Sequence, residues 1–578
     1  VITHTRVEYF FRYHVMKLVT ATCFRLAQLT KFWRHCLLVV GIVANPNIAL
    51  ATSTQGIDLD NHSITVSLSA EPSSLNTLTA ESVGYTAQLM VLLQEGLLRY
   101  DHRRRLVGGV AERWEMDSKE IRFWLRKDAR WQNGEPVTAD DFVFAWQLLL
   151  RPGTTSPSAN LASPILNASA VLKGELPVES LGVSAPAADL FVVQLAHPCG
   201  WCLKLMTNSI FYPINASFYN QVGENYGTSK GAHLANGRFK ISQWQRGKQI
   251  QLVRQSFYWD KLEAGLEQIN FNYIGSDSAT QLNLYRSGDV ALAILDRDAI
   301  RSALESNLRL RTFPTGHLFH VQFSHRKEMS SANINLRKAI SYAIDKDEIV
   351  NRVVASPGTR IADSMFHDWL TIDGEKFHDL RPPKRHQQDM RKAAAYLAKA
   401  RQDFARESTS LQQTDLEKPL TLTMTINDSR LYRRIAEYFQ HQLKGLGVDV
   451  KIDPQTTQMM VEKWRKGTSD MTLITWPVDV DDPMDQISFM ANPDFRAVYE
   501  GLYAGQDMAS LYQDNISALD QAARVAAVAQ VQSLFNDKVT VLPLFESYGA
   551  AIVDPNLRGF VWQPVRGYAD LRYLRLVP

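Results

Sequence analysis

Along most of its length the sequence switches between strand-like and helix-like patterns without a fixed repeat, and that alternation most narrows the possible fold. It is plainest after residue 419, where LTLTMTI reads as a strand, RRIAEYFQHQLKGLG as a helix and VDVKIDP as a returning strand. HSITVSLSA (62–70) alternates as a strand should, GYTAQLMVLLQEGLL (84–98) reads as a buried helix, and IRFWLR as a short strand. Residues 235–260 have the pattern of a hairpin around QRGK, and 335–354 that of two helical stretches hinged at Asp345. RPPKRHQQ (381–388) breaks the chain before the helical MRKAAAYLAKARQDF, and VTVLPLFESYGAAIV (539–553) is apolar and β-rich. The expected class is mixed α/β with more than one domain, for which 578 residues give ample core.

One stretch tests whether paired acids mean chemistry. In LRKDARWQNGEPVTADDFVFAWQLLL (125–150), Asn133-Gly134 marks a turn and Thr138 is a good N-cap. Asp141 stands three residues on as a capping-box acid, and Asp140 shares the first turn, where the helix dipole favours negative charge. Phe142, Ala145, Trp146 and Leu149 then follow at helical spacing on one apolar face. Capping accounts for both carboxylates without a ligand. By contrast, RPGTTSPSANLASP (151–164) is longer than a tight connection, and loops of that length are often functional.

The first fifty residues differ in kind. Arg6, Arg12, Lys17, Arg25, Lys31 and Arg34 face the single acid Glu8, and the apolar run CLLVVGIVANPNIALA (36–51) ends in Ala49-Leu50-Ala51. A basic region, a short apolar run and a small-x-small site make a secretory signal peptide, with cleavage expected after Ala51 and an uncleaved anchor as the alternative. That segment holds six of the 63 basic and one of the 60 acidic residues, so the remainder carries 57 against 59, a net of −2. The apparent basicity belongs to the targeting segment, and nucleic acid is not an expected partner. Neither Cys23 nor Cys36 follows a lipobox, so no lipid anchor is expected.

Cys199 and Cys202 remain, in HPCGWCLKLM. A local disulfide, two free thiols and a redox pair at a helix start are all open to them, and no thioredoxin-like pattern surrounds them. No dinucleotide fingerprint, P-loop, nucleophile elbow or zincin motif is present, and no cofactor or metal is expected. The acidic run TWPVDVDDPMDQISFM (475–490) does not fit a calcium loop: the sixth position lacks glycine, and Met490 stands where the bidentate glutamate belongs. Asp482 or Asp485 can cap a short helix there. An aspartate beside an aromatic at a strand end is also how a cationic ligand group is held.

The order of motifs carries more than any one of them. GVAERWEMDSKEIRFWLRKDARWQNGEPVTADDFVFAWQLLLRP (109–152) resembles the signature region of the extracytoplasmic oligopeptide-binding proteins of ABC importers (solute-binding protein family 5, peptide/nickel-binding type). EPSSLN at 71, EGLL at 95–98, NGRFKISQW, LRKAISYAIDKDEIV and VLPLF match in the same order. The resemblance implies a two-lobed, three-domain periplasmic binding protein with a hinged ligand cleft. Its first lobe would comprise 52–94, 225–322 and 547–578 with domain II at 95–224, and its second lobe 323–546. Function would be capture of peptides and delivery to an ABC permease, by a periplasmic, non-catalytic monomer.

The resemblance also implies roles. Asp479 matches the aspartate that pairs with the ligand's α-ammonium, and Trp476 an aromatic of the same motif. Glu81 and Val83 resemble cleft residues that touch the peptide backbone. Against these, Leu473 replaces an arginine, Pro477 a cysteine, and Ser158 and Thr457 aromatic cleft residues. The departures keep a specialised cargo open: a cell-wall peptide, a nickel complex, haem or an opine. From another class, Cys199 and Cys202 would make a thiol–disulfide protein. A ligand-sensing regulator with a DNA-binding head would need a helix-turn-helix where this chain has its signal segment.

Overall fold

The computed structural model describes residues 56–80, 84–261, 265–385, 387–407, 419–492, 499–502 and 505–577. The expected signal peptide and its cleavage site lie outside these. No described helix is long and apolar enough to cross a membrane.

Three sheets organise the chain. In the first, five strands run in the order Ile57–Asp58, Ser63–Leu68, Gln268–Ile274, Gln249–Arg254 and Phe239–Gln245. Its last two strands are the hairpin expected at QRGK, turned at Gly247, whose φ of +70° suits glycine. In the second, four antiparallel strands follow the order Ala111–Met116, Glu120–Leu125, Leu190–Gln194 and Val183–Ala187.

The helix Ala139–Leu150 belongs with that second sheet, and it starts as its sequence dictates. Thr138 and Asp141 form the reciprocal capping box, the Thr138 amide donating to Asp141 Oδ2 at 2.8 Å. Trp131 Nε1 donates to the same oxygen at 3.2 Å. Phe142, Ala145, Trp146 and Leu149 are all buried, with Trp146 set edge-on to Phe191 at 4.9 Å between ring centroids.

The third sheet holds seven strands, and its core order is Leu292–Leu295, Val541–Val553, Arg311–Phe323, Met471–Pro477, Leu420–Asn427 and Val448–Gln455. The last two are parallel, with the helix Arg430–Lys444 between them in sequence, so the strand–helix–strand reading of that segment holds. At Asp345 the side chain accepts the Glu348 amide and caps the second helical stretch, again as expected.

Two members of this sheet, Arg311–Phe323 and Val541–Val553, are thirteen residues long and pair with each other at both ends. Arg311 to Pro314 pair with Ala551 to Tyr548, and Leu318 to Gln322 with Glu546 to Val541. Between Pro314 and Leu318 the register shifts. Proline has no amide to give to a ladder, and Gly316 has a φ of +86° with no room for a Cβ, which would meet Pro564 O at 1.9 Å. One end of the pair is extended by Leu292–Leu295 and the other by Met471–Pro477. Each crossing strand therefore contributes two paired stretches, in different registers, to one seven-stranded sheet.

Away from that ribbon, a buried ion cluster joins segments distant in sequence. Asp482 is fully buried and paired with Arg524 Nη2 at 2.5 Å and Lys204 Nζ at 3.5 Å. Arg524 also reaches Asp373 at 2.9 Å, while Lys204 donates to the carbonyls of Thr371 and Asp481, each at 2.6 Å. Gly200 packs so closely on Arg524 that a Cβ would lie 2.9 Å from its side chain.

Two outcomes are expected in urea unfolding. Asp141→Ala removes the acceptor of two donors and should cost about 1–2 kcal/mol. Arg524→Met leaves Asp482 buried without its closest cation and should cost roughly 3–5 kcal/mol.

Candidate functional site

The strand Met471–Pro477 pairs along Arg311–Phe323, with Trp476 opposite Leu318 and Pro477 opposite His317. It ends where the crossing strands change register, and the chain emerges there as Val478-Asp479. Main-chain bonds then join three distant segments. The Arg566 amide donates to Val478 O at 3.1 Å, and the Gly84 amide donates to Arg566 O at 2.8 Å. Arg566 reaches between them with a φ of +63°.

This relay bears on the expected site. Glu81 and Val83 lie outside the described residues, as does the Trp476 side chain. Gly84 follows directly and opens the helix Gly84–Leu93, so the 84 and 478 segments are tied through one residue, Arg566. Asp479 is half-buried at this junction. Burial raises its carboxyl above the usual aspartate range, and the Arg566 guanidinium opposes the rise.

The remaining acids of the run divide into two kinds. Asp482 is bound in the ion cluster, and its Oδ1 accepts the amide of Met484 at 3.1 Å, at the start of the helix Met484–Ala491. Asp481 accepts the Thr371 amide at 3.0 Å; burial lifts its carboxyl to about 6, with Lys204 and Arg104 opposing. Both are structural. Asp485 is of the other kind, because its Oδ2 accepts the amide of Asp479 itself at 3.3 Å. It is 8% exposed, and burial, then the neighbouring Asp479, push its carboxyl well above the ordinary value. No group of three or more His, Cys, Asp or Glu among the described residues is placed to hold a metal ion.

Cys199 and Cys202 are joined in a disulfide, and both are fully buried. Their loop carries Gly200 onto Arg524, so it forms part of the wall beside the ion cluster. Leu473 is fully buried in an apolar core opposite Val321, which takes its side chain away from Asp479. Ser158 is half-buried before the short helix Ala159–Ala162, and Thr457 is exposed and accepts from Asn427 Nδ2 at 2.9 Å.

Several residues escape the sequence reading. Arg566 carries no local pattern that would connect it with Asp479, 87 residues earlier. Close to the register shift, Glu546 accepts the Asp368 amide at 2.7 Å, and its second oxygen lies 3.6 Å from His367 Nδ1. His317 and His320 on the crossing strand are held neutral, with burial lowering each to about 4. A cavity of about 20 Å³ beside Arg566 is lined by Tyr100, Tyr212, Gln563 and Tyr568.

Comparison with known proteins bears on the family and the fold. The sequence profile of the bacterial extracellular solute-binding proteins, family 5 Middle, matches residues 105–495. The periplasmic oligopeptide-binding protein OppA of Salmonella typhimurium is 27% identical over 477 residues, covering 81% of this chain and 84% of that protein. The periplasmic murein peptide-binding protein MppA of Escherichia coli is 26% identical over 512 residues, covering 87% and 91%. The substrate-binding domain of an oligopeptide ABC transporter from Bacillus anthracis, a crystal structure, superposes with a TM-score of 0.71 at 25% identity, covering 90% of this chain and 99% of that one. The α/β chain thus has the two-lobed fold of periplasmic binding proteins. Its profile match spans well over half the sequence, and the chain belongs to the bacterial extracellular solute-binding proteins, family 5.

Proposed function

We propose that this chain is a periplasmic receptor that captures peptides between its two lobes and hands them to the permease subunits of an ABC importer, as a monomer and without catalysis. The observation that carries the reading is the Gly84–Arg566–Val478 relay, which ties the strand end before the half-buried Asp479 to the helix start at Gly84, beside the register shift, and so supports a ligand site there. The relatives' names support the ligand class, since an oligopeptide and a murein peptide receptor both align along most of the chain.

The mechanism follows from cost. A charged peptide end entering a closed cleft must find a partner, because an unpaired buried charge is expensive. Asp479 supplies a carboxylate for the α-ammonium, and Glu81 and Val83, on the 81–83 segment, meet the peptide main chain in β-fashion, which is independent of side-chain identity. Trp476 adds an aromatic face beside the cation. The crossing strands serve as the hinge, since a break at Pro314–Gly316 lets each half of the ladder move with its own lobe. In this reading lobe 1 takes 52–94, 225–316 and 547–578 with domain II at 95–224, and lobe 2 takes 317–546, the boundary expected at 322 moving back to the break because Leu318 to Gln322 pair with Glu546 to Val541.

Two measurements check it. Asp479→Ala should weaken binding of a peptide with a free amino end by roughly 10- to 100-fold in calorimetry, the worth of a charge-assisted bond, and leave its N-acetylated form unchanged. Replacing Cys199 and Cys202 together by Ser should leave peptide affinity intact while lowering stability by about 2 kcal/mol, as expected for a four-residue loop. Loss of function without loss of folding in that double variant would point to thiol–disulfide chemistry instead.

A further inference from the structure

The function of Asp485 is not accounted for by helix capping or by the ion cluster. Its neighbours have partners of their own: Asp482 has Arg524, and Asp481 has the Thr371 amide with Lys204 and Arg104 nearby. Asp485 instead turns its Oδ2 back onto the Asp479 amide, which brings a second carboxylate to the residue expected to bind the ligand's cation. From the C-terminal segment Arg566 faces both acids, with its Nη1 donating to Ser209 Oγ at 3.4 Å, and Asp482 adds a further negative charge beside Asp485. A second observation points to a ligand. One turn along the helix from Asp485, on the same face, the Ser488 hydroxyl is buried at 7% exposure and has no hydrogen-bond partner among the described residues.

Resting on the receptor reading, we propose that Asp485 is a second carboxylate of the ammonium site, and that the Asp479–Asp485 pair holds one proton in the empty cleft and releases it to solvent when a cationic ligand group docks. Two crowded carboxylates in a poorly solvated place do not both ionise readily, so they share a proton and titrate as a pair. The direction of both shifts agrees with this, because burial raises each group. An arriving ammonium brings one positive charge and stabilises both ionised forms. One O–H bond is broken, one proton leaves, and the net charge of the site stays the same. The ligand's α-ammonium, with an ordinary pKa of about 8, is charged at the acid to neutral pH of the test.

The sign of the pH dependence follows. A complex that holds fewer protons than the free protein gains affinity as pH rises, by up to about tenfold per unit where one full proton is released. Above the apparent pKa of the pair the affinity levels off.

The test uses the full mature protein and the strongest binder from a panel of unmodified di-, tri- and tetrapeptides, chosen by thermal shift. Calorimetry at pH 6 in two buffers of different ionisation enthalpy reads the proton release directly. Expected are up to one proton released per free peptide, none for its N-acetylated form, and affinity rising from pH 4.5 towards 7. Asp485→Asn, close in shape and unable to ionise, should bind the peptide with no release and with a flattened pH profile. Wild-type binding without proton release overturns the proposal and leaves the receptor reading standing, as does undiminished release in the Asn variant. Failure of the wild type to bind any peptide of the panel removes the receptor reading, and this proposal with it.

Discussion

Everything in this protein depends on two thirteen-residue strands that pair at both ends and lose register in the middle. An unbroken ladder would hold both ends in a single register, with its backbone donors satisfied in one geometry. Pro314 withholds an amide and Gly316 takes a left-handed conformation against Pro564, so the ladder is interrupted at one place. Leu292–Leu295 extends the pair on one side of that interruption and Met471–Pro477 on the other. The Val478–Asp479 exit sits beside the break.

The acidic run after that exit shows how similar side chains acquire different work from their surroundings. Asp482 is an ion-pair anchor because Arg524 and Lys204 reach it in the dry interior. Asp481 is held by an amide and flanked by cations. Asp479 and Asp485 share the cation Arg566 and are raised by burial, a condition common among groups kept for a ligand. A buried ion pair gives little net stability relative to apolar packing, but removing one partner is severe, so the cluster acts chiefly to fix the loop. Its position matters more than its energy.

Much of the fold was legible in local pattern. The capping box at Thr138, the hairpin at Gly247, the cap at Asp345 and the strand–helix–strand unit at 420–455 each follow from residues within a few positions of one another. Local steric and hydrogen-bond rules govern such features, and they act before tertiary contacts form. The site was only partly legible. Asp479 was reachable through the order of motifs along the chain, but Leu473, read as standing in for a cleft arginine, lies in an apolar core. Sequence spacing on a strand states which side chains alternate and does not state which face meets the cleft.

By itself, then, the sequence determined many of the elements, their caps and turns, and the family to which the chain belongs. Only the tertiary structure decided that Arg566 ties Gly84 to Val478, that Asp485 folds back on Asp479, and that Asp482 is matched by a lysine and an arginine from far along the chain. The division has one physical reason. Backbone propensity and capping depend on neighbours in sequence, whereas burial, and hence the charge state of a carboxylate, depends on whatever the folded chain brings near it.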